Sequence, residues 1–238
     1  IPFFDQSMVE SLGMAQITSV KAEPKNVVFR GRPKSPGIQN YFAFVEDFLN
    51  KSVIHMYYRC DPPHGEMGAD GNDGSICYGR SEDWGLTFTL PQINIHKKNN
   101  MLDIDKEGHA FYVFIDEKPG IPESERYKAI GVFEERDSSG GWLPFVSEDG
   151  VHFNKIANTT LFIRRQFLNK NKGKFLYAFD SLNQIRWDPS IKKYVANARV
   201  VSDWEHRTVM VQTSDDWLLW DDAQWVEAII SPPYMHGE

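Results

Sequence analysis

The sequence predicts an all-β fold, a β-propeller of four-stranded antiparallel blades. Three observations predict it. A Ser-acid-Asp motif returns at Ser81-Glu82-Asp83, Ser147-Glu148-Asp149 and Ser214-Asp215-Asp216, 66 and then 67 residues apart, and an aromatic follows each copy (Phe88, Phe153, Trp220). Three short β-rich runs precede each copy. No long stretch carries a 3.6-residue apolar period. One supersecondary unit copied at a fixed period means a ring or a stack. A four-stranded antiparallel unit of this length reads as a propeller blade.

In the first unit the runs are Tyr41–Val45, Val53–Tyr58 and Ser75–Tyr78. In the second they are His109–Ile115, Tyr127–Val132 and Trp142–Val146, and in the third Phe175–Phe179, Tyr194–Arg199 and Thr208–Gln212. Gly, Asn, Asp and Pro punctuate the gaps. The motif turn and the aromatic after it supply the fourth strand. Each motif Asp is expected to accept hydrogen bonds from backbone N–H groups of its own turn, and each aromatic to pack between blades. These turns are expected on the rim, away from any chemistry. One domain, residues 1–238, is expected, with blades at roughly 27–90, 99–155 and 174–222 and the start of another from 226. At this period the chain holds about three and a half blades. A propeller closes on itself to hide its edge strands, so a truncated ring is expected.

Composition narrows the function. A net charge of −7 and a pI near 5.5 argue against a nucleic-acid partner. No run of about 18 apolar residues exists to span a membrane. Aromatics at 13% suit a sheet-rich core or a sugar-binding cleft. There is no zinc pattern, P-loop, dinucleotide fingerprint or Gly-x-Ser-x-Gly elbow, so no cofactor is expected. A structural calcium is one reading of the acidic loop Asp61–Gly74; a lid is a second, and a solvated loop is preferred. Cys60 and Cys77 lie on consecutive strands. They pair in an oxidising compartment or act as small core residues in a reducing one, and the unpaired reading is preferred because two cysteines make no framework. Asn50-Lys51-Ser52 and Asn158-Thr159-Thr160 match the glycosylation sequon. The chain begins with Ile and no signal-like segment follows, so a processed, trimmed or excised piece is expected.

Several segments carry a resemblance. They are Met56-Tyr57-Tyr58-Arg59 with Ile76–Asp83, the pair Asn99-Asn100, Phe114–Pro119 with Glu125–Ala129, and Phe179–Asp188 with Tyr194 and Arg199. In that order and at blade spacing, they resemble bacterial five-bladed propeller proteins related to glycoside hydrolase families 32 and 43. The likeness covers most of residues 27–225. It implies a five-bladed propeller that cleaves terminal furanosides or pyranosides of a polysaccharide or oligosaccharide. Five such blades need about 330 residues, which agrees with truncation. Polysaccharide work and the sequons lean toward a secreted or periplasmic protein. The oligomeric state is not legible.

Glycoside hydrolysis needs two carboxyl groups, one to protonate the leaving oxygen and one to activate water or attack. The resemblance implies three acids at a central funnel, one from the innermost strand of each of three blades. Asp180, in Phe179-Asp180-Ser181-Leu182-Asn183, takes the general-acid position, where the families carry Glu. Asp116, after the apolar run Phe111–Ile115, takes the place of the acid that tunes its pKa. The first blade is the exception: Val27–Lys34, read as its inner segment, is basic and has no acid. Asp5 is preferred as base or nucleophile over Glu46 or Asp47. Among the arginines Arg59, Arg126, Arg164, Arg186, Arg199 and Arg207, bidentate carboxylate or sulfate binding is one role and salt bridging between blades another. Arg126 and Arg199 sit in family-like contexts and are expected, with Asn183 and His109, to contact substrate, although a structural role is preferred for His109. The missing first-blade acid supports a rival reading, a non-catalytic carbohydrate-binding propeller. A structural or protein-binding propeller is the third.

Overall fold

The computed structural model describes residues 26–29, 39–60, 75–93, 100–102, 104, 110–133, 140–157, 159–163, 177–179, 181–201, 207–220 and 224–225. Among these there are thirteen strands, one 3-10 turn at Glu123–Glu125 and no α-helix. The strands form three antiparallel sheets in chain order. The first holds β1 (Gln39–Glu46), β2 (Ile54–Cys60) and β3 (Ile76–Ser81), with Thr89 bridged to Arg80 at its outer edge. The second runs β4 (Ala110–Ile115), β5 (Tyr127–Phe133), β6 (Gly141–Ser147) and β7 (Asn154–Lys155), and β8 (Phe162–Ile163) also pairs with β6. In the third, β9 (Tyr177–Ala178) and β10 (Gln184–Asp188) both pair with β11 (Lys193–Val201), followed outward by β12 (Arg207–Ser214) and β13 (Gln224–Trp225). β4 packs against β1 and β2 on one side and β10 on the other. Inner strands side by side, with later strands stepping outward, are propeller blades.

The three blades superpose by register. Motif residues Ser81, Ser147 and Ser214 face Ile54, Tyr127 and Tyr194 across the sheet. Those in turn face Glu46, Ile115 and Trp187 on the inner strands. Side chains alternate across a strand, so each middle blade feeds two cores. Phe111 and Val113 of β4 join Tyr57, Ile76 and Tyr78 of the first blade. Ala110 and Phe114 join Phe179, Ile185, Tyr194 and Trp217 of the third. Burial on both faces is why β4 reads as an unbroken apolar run.

The first blade's other face carries a third cluster, Met56, Tyr58 and Cys77 with Phe29, Phe42 and Phe88. Here Phe44 is 55% exposed, whereas its register equivalents Val113 and Ile185 are 1% and 0% exposed beneath the preceding blade. Among the described residues nothing covers this face as the first and second blades cover the others.

Two expectations are corrected. Residues 27–29 are not an inner strand: they lie outside the sheet, with Phe29 packed on Phe42 and Tyr58. The first blade's inner strand is β1, which runs into Asp47. In the third blade the inner strand is mainly β10, which the apolar runs did not reveal. Gln184 and Arg186 are exposed on its far face, so it lacks the two-sided apolar signature of β4.

The preferred unpaired state of the cysteines is also overturned. Tyr58 faces Cys77 across β2 and β3, and the Cys60 N–H donates to the Ser75 carbonyl at 2.8 Å. Cys60 and Cys77 are therefore diagonal neighbours, Cα to Cα 5.7 Å, and form a disulfide. It closes a loop of 17 residues' separation. Replacing both with Ser is expected to lower stability by about 3 kcal/mol through loop entropy. For a chain of this size that lowers the melting temperature by roughly 6–12 °C. Calorimetry of the variant, and of the wild type with and without reductant, checks it; coincident melts would show that the bridge adds nothing.

Candidate functional site

The motif turns are built as expected. The Asp83 carboxylate accepts the Thr87 N–H at 2.8 Å, Asp149 those of Val151 and His152, and Asp216 those of Leu218 and Leu219. These bonds, with the Ser81 and Thr87 hydroxyls, hold Asp83 at a pKa of about 2. Trp84, Gly150 and Trp217 follow the Asp with φ of 61°, 72° and 66°. Phe153 packs edge-on against Tyr57 of the first blade. Trp217 is buried edge-on against Phe114 of the second. Phe88 stays within its own blade, on Phe44.

Next to these turns lies a device that repeats at both described blade junctions. An Asp directly follows each of the first two inner strands, with its N–H bonded to the residue before the second strand: Asp47 to the Val53 carbonyl and Asp116 to the Arg126 carbonyl, both at 2.9 Å. Its carboxylate receives a basic side chain from the second strand and a tyrosine hydroxyl from the next blade. At the first junction His55 Nε2 lies 3.1 Å from Asp47 Oδ2, and the Tyr127 hydroxyl donates to it at 2.9 Å. At the second, Lys128 Nζ and the Tyr194 hydroxyl donate to Asp116 Oδ2 at 2.6 and 2.7 Å. His55 and Lys128 hold the same register position, as do Tyr127 and Tyr194. The third blade has Val195 at the basic position, and Asp188 turns instead to Arg186 and Ser190.

Asp116 is thus enclosed. Its side chain is 0% and that of Lys128 1% exposed. Asp116 Oδ1 takes the Lys118 N–H at 3.0 Å, Glu125 lies 3.6 Å from Lys128 Nζ, and the Trp217 ring covers that ammonium at 5.6 Å. Burial, then the bond to Asp116, pushes the Tyr194 phenol far up, so it remains a donor. The arrangement clasps blade to blade and leaves Asp116 no open oxygen for a substrate.

The first clasp titrates. Burial raises the Asp47 carboxyl, but the bonds from His55, Asn50, Tyr127 and Leu49 outweigh it and hold the pKa at about 2. Burial lowers His55 below its ordinary 6.5 despite Asp47. The fold therefore holds neutral His55, with Nε2–H donating to Asp47 and Nδ1 accepting from the Tyr78 hydroxyl at 2.8 Å. Both shifts are downward, so both contributions are present at neutral pH and lost on acidification. The His55 part goes as pH falls below about 6.5, and the Asp47 part between about 4 and 2. Urea midpoints measured against pH are expected to fall in two stages, and His55→Gln to remove the upper one; an unchanged upper stage would assign it elsewhere.

The other predicted site residues divide between the two ends of the blades. Between β9 and β10 the inner strand is interrupted at Phe179 and at residues 181–183. Phe179, with φ of 74°, donates its N–H to the Arg199 carbonyl at 2.8 Å. Buried Asn183 closes the gap: Oδ1 accepts the Arg199 N–H at 2.9 Å, and Nδ2 donates to the Phe179 and Ser181 carbonyls. Expected as a sugar contact, Asn183 has its side chain committed to backbone. Asn183 lies five residues before Asp188, the register equivalent of Asp116, hence about 17 Å along the strand. Asp116 and Arg126 therefore sit at one end of the blades, and Asn183 and Arg199 toward the other. Asp5, His109 and Asp180 lie outside the described residues, as do Arg164, Asn158 and the acidic loop. Among the described residues no group of three or more His, Cys, Asp or Glu is placed to hold a metal ion, and no helix is long and apolar enough to cross a membrane.

Arg126 lines a cleft of about 590 Å³ between the first and second blades, with Asp47, Phe48, Tyr127, Asp149 and His152. Its guanidinium lies 3.9 Å from the centre of the Phe48 ring and bonds Glu123 at 3.2 Å. Sequence reasoning weighed Asp47 but ranked it below Asp5, and it missed Lys128, His55 and Tyr127 as its counterparts and partners. One signal was present: Tyr127 and Tyr194 each stand 20 residues before their motif serine.

Two solved structures share this architecture. A beta-fructofuranosidase from Schwanniomyces occidentalis, complexed with fructosyl-erythritol, superposes with a TM-score of 0.53 at 15% identity, over 79% of this chain and 34% of its own. An N-acetylgalactosamine deacetylase from F. plautii, in complex with blood group B trisaccharide, superposes at 0.52 and 9% identity, over 83% of this chain and 55% of its own. The chain has their fold. It spans about a third of the length of the first and about half of the second. No protein-family model and no curated protein matches it. At such identities the likeness is one of fold.

Proposed function

We propose that this propeller acts on carbohydrate, as a glycoside hydrolase for terminal furanoside or pyranoside residues of a polysaccharide or oligosaccharide. The observation that carries this reading is the blade architecture held in common with two sugar-processing enzymes. Fold alone never assigns function, so the chemistry rests on named residues. Asp180 is proposed as general acid and Asp5 as base or nucleophile. Arg199 and His109 are proposed to contact the substrate. Asp116 acts from behind, by holding two blades in register. The Cys60–Cys77 disulfide supports an oxidising compartment, secreted or periplasmic.

One observation favours a second reading, a carbohydrate-binding propeller without turnover: Asp116, the expected third acid, is spent on Lys128 and Tyr194. The test is a panel of aryl furanosides and pyranosides with reducing-sugar detection, run beside calorimetric titration of the same glycans. Release of sugar supports the hydrolase. Binding without release moves the protein to the second reading, and the absence of both overturns both readings.

A further inference from the structure

We propose that Asn50 is an N-glycan acceptor site, independently of what the propeller does to carbohydrate. Asn50-Lys51-Ser52 occupies the turn between β1 and β2, with Asn50 and Lys51 exposed and Ser52 half-buried. The turn is built around the acceptor. Asp47 Oδ1 takes the N–H groups of Leu49 and Asn50 at 2.9 and 2.8 Å, and the Val53 N–H closes onto the Asn50 carbonyl at 2.9 Å. The Asn50 side-chain oxygen accepts both the Ser52 N–H at 3.1 Å and the Ser52 hydroxyl at 2.8 Å. This is an Asx turn in which the sequon's own hydroxyl polarises the carboxamide. Among the described residues Nδ2 has no hydrogen-bond partner.

The disulfide is the second, independent observation. Cys60 and Cys77 pair, and such bridges form in oxidising compartments, one of which also adds asparagine-linked sugars. The glycan would stand beside Leu49 and Phe48, 84% and 41% exposed, and shield apolar surface that water otherwise meets. The co-reactant is a lipid-linked oligosaccharide diphosphate. Nδ2 attacks C1 of its first sugar and loses one proton, and the C1–O bond breaks. Lipid diphosphate leaves with the electron pair, with no change in oxidation state.

The 238-residue chain, secreted from a eukaryotic host and confirmed folded with its disulfide closed, is analysed by mass before and after peptide-N-glycosidase. The expected result is a glycan-sized loss with Asn50 converted to Asp. Asn50→Gln and Ser52→Ala are expected to abolish that loss at this site, and Ser52→Thr to keep it. Two variants acting on different atoms guard against a misfolded one. A folded secreted protein with unmodified Asn50 overturns the proposal. So does a mass loss that persists unchanged in Asn50→Gln, which would place the sugar at Asn158.

Discussion

Asp180→Asn is expected to lower turnover on a cleaved glycoside by a factor of about 10²–10⁴, the range that general-acid catalysis contributes, and to leave the urea midpoint in place. The substituted amide is nearly the same size but carries no acidic proton for the leaving oxygen. The urea midpoint is expected to hold because the described residues on either side of Asp180 are tied to one another and to β11. Asn183 bonds the carbonyls of Phe179 and Ser181 and the Arg199 N–H, and Phe179 itself bonds the Arg199 carbonyl. Substrates with activated aryl leaving groups need less protonation, so they are expected to lose less rate than natural glycosides. An equal loss on both would point to damage rather than a missing acid. Unchanged turnover removes Asp180 from the mechanism.

Lys128→Met is expected to show the opposite pattern, a loss of about 3–5 kcal/mol of stability with turnover per folded molecule retained. The substitution keeps length and apolar bulk beneath Trp217 and removes only the ammonium. Asp116 is then a carboxylate with no exposed surface, left with the Tyr194 hydroxyl and the Lys118 N–H. Breaking one partner of a buried pair is costly because the survivor's desolvation is uncompensated. Against a typical total of about 5–15 kcal/mol, such a loss brings the chain close to unfolding at room temperature. Replacing both ions, Asp116→Leu with Lys128→Met, is expected to recover much of it. Urea melts of the two variants check this. A mild single variant would mean that water reaches the clasp. A stable variant with turnover abolished would return Asp116 to the chemistry.

The repeat that predicted the fold also concealed the meaning of its acids. Asp116 stood out because an apolar run precedes it and the resemblance supplied a role. Its partner Tyr194 is 78 residues away in sequence, and no local pattern marks that contact. Asp47 has the same position in the first blade, but the sequence favours Asp5, which follows an apolar run near the chain start, and reads Asp47 with the turn before Asn50. Only the register Ser81–Ile54 and Ser147–Tyr127 makes the two acids equivalent. Asn183 carries a related ambiguity: a polar cluster after an apolar strand has the composition of a binding site, and also that of a closed bulge.

By itself the sequence determined what short-range periodicity can encode. That is the all-β class, the blade period, the positions of most of the longer strands, and the Ser-acid-Asp turns, whose hydrogen bonds run between residues two to five apart. Tertiary structure decided what depends on register and on packing between blades. It paired Cys60 with Cys77, enclosed Asp116 between Lys128 and Tyr194, left Phe44 in water while burying Val113 and Ile185, and set Asn183 against backbone. The physical reason is range. Alternation and turn chemistry act over a few residues, whereas the partner of a buried charge is chosen by which strand lies beside it, and one residue of register exchanges every inward side chain for an outward one.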